Sequence, residues 1–207
     1  MPNLPVKYRK SPEAIASYSY TDIERGTGVA IFYGIRDFNS GSLRLIENTV
    51  EAGTTMTSNI TVSGFSDWND DGVMQFDTEE FASKRVLKGN PYVVIPVGGG
   101  EDDGVTINDL KLVHVHGAGG TTDLTTEIDL AEIVDSAGSM QMALFIELGE
   151  VSSTTIEKGD KLRIYMDTSI DGGAFIYHNP SGSSINYGGV NASRTQLSVG
   201  IPFRINI

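Results

Sequence analysis

The feature that most constrains the fold is the stretch at the C-terminal end, residues 196–207, where apolar and polar residues alternate strictly. Such a period of two is typical of a β-strand with one face in a core and the other in water. A register slip of one residue would expose the whole apolar set, so the pairing of this strand is strongly specified. Pro202 cannot donate to a ladder and predicts a sheet edge or a bulge at that position. The apolar positions are Leu197, Val199, Ile201, Phe203, Ile205 and Ile207.

Shorter segments with strand character recur along the chain and are separated by Gly-, Asp- and Asn-rich turns. This spacing predicts an all-β protein, a jelly-roll-like antiparallel β-sandwich, rather than alternating strands and helices. We expect one short helix at 77–88, with Asp77 or Thr78 as its cap. The predicted strands are 29–35, 42–50, 55–62, 92–97, 105–116, 124–131, 140–148, 161–168 and 173–177, followed by the C-terminal strand.

The predicted domain organisation is an irregular N-terminal arm at 1–28 followed by one sandwich at 29–207. Residues 98–104 are three glycines followed by acids and one more glycine. Such a flexible, acidic stretch is expected to be a loop tip, or a point at which the sandwich subdivides.

Composition excludes several classes of function. The chain has no cysteine, so disulfides, thiolate metal sites and cysteine nucleophiles are impossible. Its net charge of −12 argues against a nucleic-acid partner, which usually meets a basic surface. The sequence has no apolar run of the length that a membrane span needs, and its start has no hydrophobic signal region.

The arm carries a local excess of positive charge in an otherwise acidic chain. Lys7, Tyr8, Arg9 and Lys10 combine three cations with one aromatic side chain, and three prolines surround them. These four residues are predicted to contact an acidic partner surface, on which the arm would become ordered. The alternative is a frayed terminus with no binding role.

Asp67, Asn69 and Asp71 place oxygen ligands at alternate positions before a glycine, as the first half of a calcium loop does. The twelfth position of such a loop needs a glutamate, and here it is Thr78, so the stretch is not an EF-hand. The three residues are a candidate Ca²⁺ site. The alternative is an ordinary polar turn, because Asp, Asn and Gly favour turns for backbone reasons. No other cofactor is expected.

His114 and His116 lie two residues apart, which places both imidazoles on the same face of a predicted strand. With His178 they could supply three nitrogen ligands to a metal ion. The spacing resembles the His-x-His of cupins, but the glutamate of that motif is missing after His116. The alternative is a pair of solvated histidines on an exposed strand face.

No catalytic residue is predicted. The chain has no G-x-S-x-G elbow, and acids follow Gly98–Gly100 where a phosphate loop would have Lys and Ser or Thr. Trp68 and the tyrosines could form a platform on which a sugar stacks. The sequence therefore predicts a protein that is not an enzyme.

Three stretches in the last quarter of the chain resemble bacteriophage virion β-sandwich proteins. Residues 157–164, Glu-Lys-Gly-Asp-Lys-Leu-Arg-Ile, are similar to their turn-and-strand motif, and 177–180, Tyr-His-Asn-Pro, to the loop that follows it. The ending at 197–207 is similar to their closing strand. The resemblance implies a structural component of a virus particle, such as a capsid decoration protein or a minor head or tail protein.

The first functional hypothesis is thus a non-enzymatic virion protein that docks on a phage capsid, with the major capsid protein or other virion proteins as partners. It is expected to be a homo-oligomer, located in a particle assembled in the host cytoplasm, without nucleic-acid or membrane contacts. The second hypothesis is a carbohydrate- or surface-binding sandwich, possibly assisted by calcium. The third is a cupin-like metalloenzyme built on the histidines.

Overall fold

The computed structural model describes most of the chain from residue 27 onwards and shows an all-β protein, as predicted. The described ranges are 27–37, 42–47, 55–57, 60–61, 67–68, 72–100, 103–134, 139–178, 186–187, 190–191 and 196–204. Their strands are β1 Thr27–Arg36, β2 Leu43–Ile46, β3 Thr55–Thr57, β4 Ile60–Thr61, β5 Asp67–Trp68, β6 Gly72–Thr78, β7 Arg85–Gly89, β8 Tyr92–Gly100, β9 Gly104–Val115, β10 Thr121–Asp123, β11 Leu130–Val134, β12 Ser139–Glu147, β13 Val151–Ile156, β14 Lys161–Asp171, β15 Phe175–Tyr177, β16 Asn186–Tyr187, β17 Val190–Asn191 and β18 Ser198–Arg204. These ranges contain no helix.

Fourteen strands join into one hydrogen-bonded sheet, in the order β10-β9-β14-β6-β2-β1-β18-β8-β15-β5 with β11, β12, β13 and β7 attached at its sides. The pairing is mixed: β2 and β6 are parallel, through Arg44 with Asp77 and Leu45 with Thr78. The predicted jelly-roll-like antiparallel β-sandwich is therefore not confirmed beyond its all-β class. A parallel pair needs a long connection instead of a tight turn, and residues 47–71 supply that length between β2 and β6.

Most of the core is one continuous cluster inside the curl of this sheet, and Ile35 and Ile46 form a second, smaller cluster. On β14 alternate residues point inward, which gives a burial pattern of period two, whereas on β9 this pattern changes phase at Asn108 and Asp109. A bulge between Asp167 and Thr168 shifts the register of β14 against β9 without breaking the pairing. Fully buried core residues include Met74, Phe76, Leu87, Ile95, Ile107, Leu110, Leu112, Leu162, Ile164, Met166, Val199 and Ile201.

The strand predicted for the C-terminal stretch is confirmed in β18, but its second face is not wet, because Gly200 and Pro202 are buried as well. Leu197, Val199 and Ile201 are fully buried, and Phe203 packs edge-on against Phe81 with ring centroids 5.8 Å apart. Residues 205–207 lie outside the described part of the chain.

The sheet edge predicted at Pro202 is wrong, because β18 is a central strand. On one side β18 pairs with β1 along its whole length. On the other side it pairs with β8 up to Gly200 and with β7 at Phe203. Pro202 falls where the partner changes from β8 to β7, so its missing N–H removes no hydrogen bond from this second side.

The helix predicted at 77–88 is also wrong. Asp77 and Thr78 end β6, where Asp77 forms a bidentate ion pair with Arg163 of β14 at 2.5 and 2.8 Å. A second strand begins at Arg85. Between them Phe81 exchanges two backbone hydrogen bonds with Gly159 and Asp160. Tertiary pairing thus overrides a local pattern that favoured a helix.

The stretch predicted as a flexible glycine-rich loop begins as regular strand. Gly98–Gly100 continue β8 and pair with Gln141, Met140 and Ser139 of β12. Residues 1–26, which include the arm residues Lys7, Tyr8, Arg9 and Lys10, lie outside the described ranges, so their binding role stays a prediction. A search of the described residues finds no helix long and apolar enough to cross a membrane.

Candidate metal centre

His114, His116 and Asp160 meet at one end of the sheet, and we call these three residues the metal centre. His114 lies near the end of β9, and its partner across the ladder is Leu162 of β14. Asp160 lies in the turn Glu157–Asp160 that leads from β13 into β14. Because β9 and β14 are antiparallel neighbours, the end of one strand lies beside the beginning of the other.

The Asp160 carboxylate accepts three hydrogen bonds. Oδ1 accepts from the backbone N–H of Gly117 at 2.8 Å, and Oδ2 accepts from that of Glu157 at 2.9 Å. Oδ2 also lies 2.7 Å from His114 Nε2, which donates to it. Both Asp160 and His114 are buried, with 7% and 4% of their surface exposed. The carboxylate therefore connects two turns and a strand.

These hydrogen bonds hold Asp160 in its charged form. The backbone N–H of Gly117, followed by that of Glu157 and the imidazole of His114, lowers the pKa of Asp160 to about 2. Metal ligands must be deprotonated to bind, and this carboxylate meets that condition across the physiological range. None of the described lysine or arginine side chains forms an ion pair with it.

His116 forms the outer side of the metal centre. It is half-buried, its ring centroid lies 4.0 Å from that of His114, and its Nε2 is 2.9 Å from the hydroxyl oxygen of Thr122 on β10. A hydroxyl that fixes one ring nitrogen sets the orientation of an imidazole, as groups around metal-ligating histidines commonly do. His116 is thus positioned and accessible.

Gly117 is required at this place. A Cβ atom at Gly117 would lie 2.7 Å from the carbonyl oxygen of Gly159, closer than any side chain can approach. The absence of a side chain lets the turn after His116 lie directly on the turn that carries Asp160. This close approach allows the Gly117 N–H to reach the carboxylate.

The three residues offer ligand atoms that all lie within 4.8 Å of one another. Two imidazoles and one carboxylate form a ligand set that suits zinc and other divalent transition metals. Two ligands of a tetrahedral zinc lie about 3.3 Å apart, given bonds of about 2.0–2.1 Å. The 2.7 Å contact between His114 and Asp160 is shorter, so an ion would replace that hydrogen bond and separate the two atoms by a fraction of an ångström.

The pair His114 and His116 was predicted to share a strand face, and the structure brings the two rings together. His178 does not join them: it is buried against Phe76, with ring centroids 5.9 Å apart, and lies outside the cluster. The three-histidine arrangement is therefore wrong. Sequence reasoning missed Asp160, whose approach depends on pairing between strands far apart in the chain. Its position in a Lys-Gly-Asp turn just before a strand was the available signal.

For the candidate calcium site the structure describes only the first ligand. Asp67 lies in β5, opposite Tyr177 of β15. Asn69 and Asp71 lie outside the described residues, so calcium binding by the three stays a prediction.

A second charged group lies on the other face of β9. The side chain of Lys111 contacts Asp109, Asp123 and Glu127 at 3.1, 3.2 and 2.8 Å, and its Nζ lies 5.1 Å from the centroid of the Tyr165 ring. We call Lys111 and its three acids the lysine cluster. The hydrogen bond with Glu127 is the largest cause that raises the pKa of Lys111 above its usual value.

The comparisons with known proteins give no family. No protein-family profile matches the sequence, and no curated protein does. Among solved structures, an α-amino acid ester hydrolase aligns with a TM-score of 0.40 at 14% identity. A CocE/NonD family hydrolase from Staphylococcus aureus aligns with a TM-score of 0.41 at 11%, and an aminopeptidase from a Thaumarchaeota archaeon with 0.36 at 15%.

Each alignment covers 83–84% of this chain, which spans about one third (34–35%) of each similar protein. These findings correct the first functional hypothesis, a non-enzymatic virion protein, together with the prediction that the chain is not an enzyme. The structures named are hydrolases and an aminopeptidase, and none of them is a virion component. The virion motifs were turn-and-strand patterns, which any β-protein with similar turns can carry. We transfer no catalytic residue from these proteins.

Proposed function

We propose that the protein binds a divalent transition metal at the metal centre, with zinc as the ion that suits these ligands best. One observation carries the proposal: two imidazoles and one ionised carboxylate have ligand atoms within 4.8 Å of one another, and among the described residues no lysine or arginine pairs with the carboxylate. A buried carboxylate is stable when it is paired or coordinates a metal. Here its partners are two backbone N–H groups and a histidine.

The ligand count favours a reactive ion over a purely structural one. Structural zinc sites are closed by four protein ligands, whereas catalytic sites have three and keep a position for water. The half-buried His116 places that position on the accessible side of the metal centre. Zinc lowers the pKa of its bound water to about 7 and makes it a nucleophile at neutral pH. The function proposed is therefore metal-dependent hydrolysis: a zinc ion held by His114, His116 and Asp160 would supply the activated water, whose OH would bond to an acyl carbon while its proton goes to the departing group.

Calorimetric titration of zinc into the metal-free full chain tests the binding step. We expect one ion per chain in the wild type. His116→Ala should weaken binding by at least about tenfold, since even the supporting partners of metal ligands contribute 10–100-fold. Lys158→Ala is the matched control, because Lys158 is exposed in the same turn as Asp160 and supplies no ligand. Equal affinities in the wild type and His116→Ala would contradict the proposal.

Hydrolysis of an activated ester, 4-nitrophenyl acetate, tests the chemical step. We expect the rate to fall when a chelator removes the metal and to return when zinc is added back. His116→Ala should stay slow under both conditions, while Lys158→Ala follows the wild type. If zinc binds with the expected stoichiometry and the rate does not respond to it, the ion is structural and the hydrolytic part of the proposal is wrong.

A further inference from the structure

Two strands that follow each other in the chain fail to pair, and a groove separates them. Among the described residues, β11 hydrogen-bonds only to β9 and β12 only to β8. The groove has a volume of about 400 Å³, and Leu130 and Ala131 line it on one side, with Ala143–Ile146 on the other. Both strands therefore present a free edge of backbone N–H and C=O groups to the same space.

The groove continues past β11 and β12. A second depression of about 300 Å³ is lined by Asp123–Thr126 on one side and Leu148–Glu150 on the other. In the chain, Asp123–Thr126 come shortly before Leu130, and Leu148–Glu150 come shortly after Ile146. Each side of the second depression therefore continues one side of the first. We call the two depressions together the seam.

The two halves of the seam differ in chemistry. The half at Ala143–Ile146 is apolar: Phe145 is 62% exposed and stacks on Tyr92. Around the other half lie acids with exposed side chains, while the cation described beside it, Lys111, is already engaged by three carboxylates. The exposed acids are Asp123, Glu127, Asp129, Glu147 and Glu150.

The β12 edge has none of the devices that protect an edge strand. Residues 139–146 contain no charge and no proline, and the pairing with β8 runs through nine consecutive residues without a bulge. Such an edge is a template for a further strand. The best occupant would alternate in its side chains, and it would carry positive charge at the end that lies against the acids.

The N-terminal segment of the chain has both features that the seam requires, a positively charged end and an alternating stretch that follows it. Lys7, Arg9 and Lys10 supply three positive charges, and residues 14–21 alternate as Ala-Ile-Ala-Ser-Tyr-Ser-Tyr-Thr without a proline. With the basic end at the acidic half, residues 14–20 run along β12 in the antiparallel sense, which is the better paired arrangement.

The length of the chain decides which copy supplies the segment. In this arrangement Tyr20 lies near Ala143. Across the sheet, Ala143 is level with a position on β1 that lies eight residues beyond Thr27, where β1 begins. That is about 26 Å along the strands, and the four strand spacings from β1 over β18, β8 and β12 to the added strand add about 19 Å. Seven residues span at most about 25 Å. The segment of the same chain therefore cannot reach.

We infer that the seam is the docking site for residues 7–20 of a second copy of this chain, added as a strand beside β12. The basic residues of the segment lie against the acidic half of the seam, and its alternating stretch covers the apolar half. The inference does not depend on metal binding.

Because the chain has no cysteine, engineered disulfides test this docking directly. Full-length Tyr20→Cys is mixed with full-length Ala143→Cys under mild oxidation, and the products are separated without reductant. We expect a disulfide between the two variants. Tyr20→Cys mixed with Thr155→Cys is the control, since Thr155 is exposed on β13, away from the seam. Equal crosslinking in both mixtures overturns the inference, and so does rapid crosslinking of Ala143→Cys with itself, which means that two β12 edges pair directly.

Sedimentation velocity of the unmodified protein supplies the second measurement. We expect assemblies larger than a monomer at low ionic strength, with a fraction that falls as salt rises, because the charge pairs are exposed and screened. The triple variant Lys7→Glu, Arg9→Glu, Lys10→Glu should be monomeric throughout, with an unchanged circular dichroism spectrum. A wild-type protein that is monomeric at every salt concentration, or a triple variant that assembles as the wild type does, overturns the inference.

Discussion

The metal centre and the lysine cluster lie on opposite faces of the same strand, and they balance charge in different ways. Lys111 brings its own cation to three carboxylates, and its Nζ lies 5.1 Å from the centroid of the Tyr165 ring. On the other face, the Asp160 carboxylate meets two neutral backbone donors and a histidine. The carboxylates of the lysine cluster are thus paired with a lysine. Among the described residues, no lysine or arginine is paired with Asp160.

The largest expected change in the free energy of unfolding comes from a substitution in the core of β9, the strand that contains both His114 and Lys111. Leu112 is fully buried on the core face of β9, between Lys111 and His114 in sequence. Leu112→Ala should lower the free energy of unfolding by about 2–5 kcal/mol, from lost burial and the cavity that remains. Urea unfolding measures it. Val73→Ala, at a 43% exposed position on β6, is the control and should change stability by about 0.5 kcal/mol or less. A similar cost for both would mean that β9 does not carry the core.

The next effect is a dependence of stability on pH that comes from Asp160 of the metal centre. Because the pKa of Asp160 is lowered to about 2 in the folded chain, its charged form stabilises the fold above the ordinary pKa of about 3.9. That contribution is lost as the pH falls from about 5 towards 2. Asp160→Asn should be less stable at pH 7, since its amide NH₂ cannot accept from both backbone N–H groups, and should lose less stability on acidification. Thermal unfolding of metal-free protein from pH 2 to 7 measures this. Parallel curves for the wild type and the variant would contradict it.

The lysine cluster should respond to charge rather than to metal. Lys111→Met keeps much of the stem but leaves three carboxylates without their cation. It should cost about 1–2 kcal/mol, since the pairs with the exposed Asp123 and Glu127 contribute up to about 1 kcal/mol each, and the third carboxylate, Asp109, is largely buried. Added salt should recover part of the loss by screening the repulsion. Lys111→Arg is the matched control and should retain most of the stability. A loss that is independent of salt would point to packing against Tyr165 instead.

The smallest effect is expected at the ion pair between Lys84 and Glu157, next to the metal centre in sequence but open to water. Its partners are 2.9 Å apart and about 60% exposed. Lys84→Ala should change the free energy of unfolding by less than about 0.5 kcal/mol and leave zinc affinity unaltered. Calorimetry and urea unfolding of the same sample give both values. A marked change in zinc affinity would show that the Glu157 turn is held by this pair rather than by Asp160.

Local patterns predicted much of the strand content but little of how strands meet. The alternation of 196–204 identified β18, since a period of two depends only on neighbours along the chain. The sheet edge predicted at Pro202 was wrong because β7 and β8 share one side of β18, and the proline lies between them. Residues that neighbour Pro202 in sequence do not reveal this pairing. The helix predicted at 77–88 failed for the same reason, because the ladder with β14 fixes Asp77.

The candidate site was predicted in part. The spacing of His114 and His116 predicted neighbouring imidazoles, and the two rings do lie together, although β9 ends at Val115, before His116. The third member of the group was wrongly expected to be His178, since nothing in the spacing of residues distinguishes His178 from Asp160. The difference arises from the register of β14 against β9, which places the Glu157–Asp160 turn at the end of β9.

The most direct test of the metal centre is zinc K-edge X-ray absorption on the zinc-loaded full chain. We predict a first shell of nitrogen and oxygen atoms at about 2.0–2.1 Å, with the scattering of two imidazole rings. His116→Ala should reduce the imidazole contribution to one ring, and Lys111→Met should leave the spectrum unchanged. A zinc shell without imidazole scattering, or an unchanged spectrum in His116→Ala, would show that the ion binds elsewhere and that the metal centre is only a hydrogen-bonded joint between two turns.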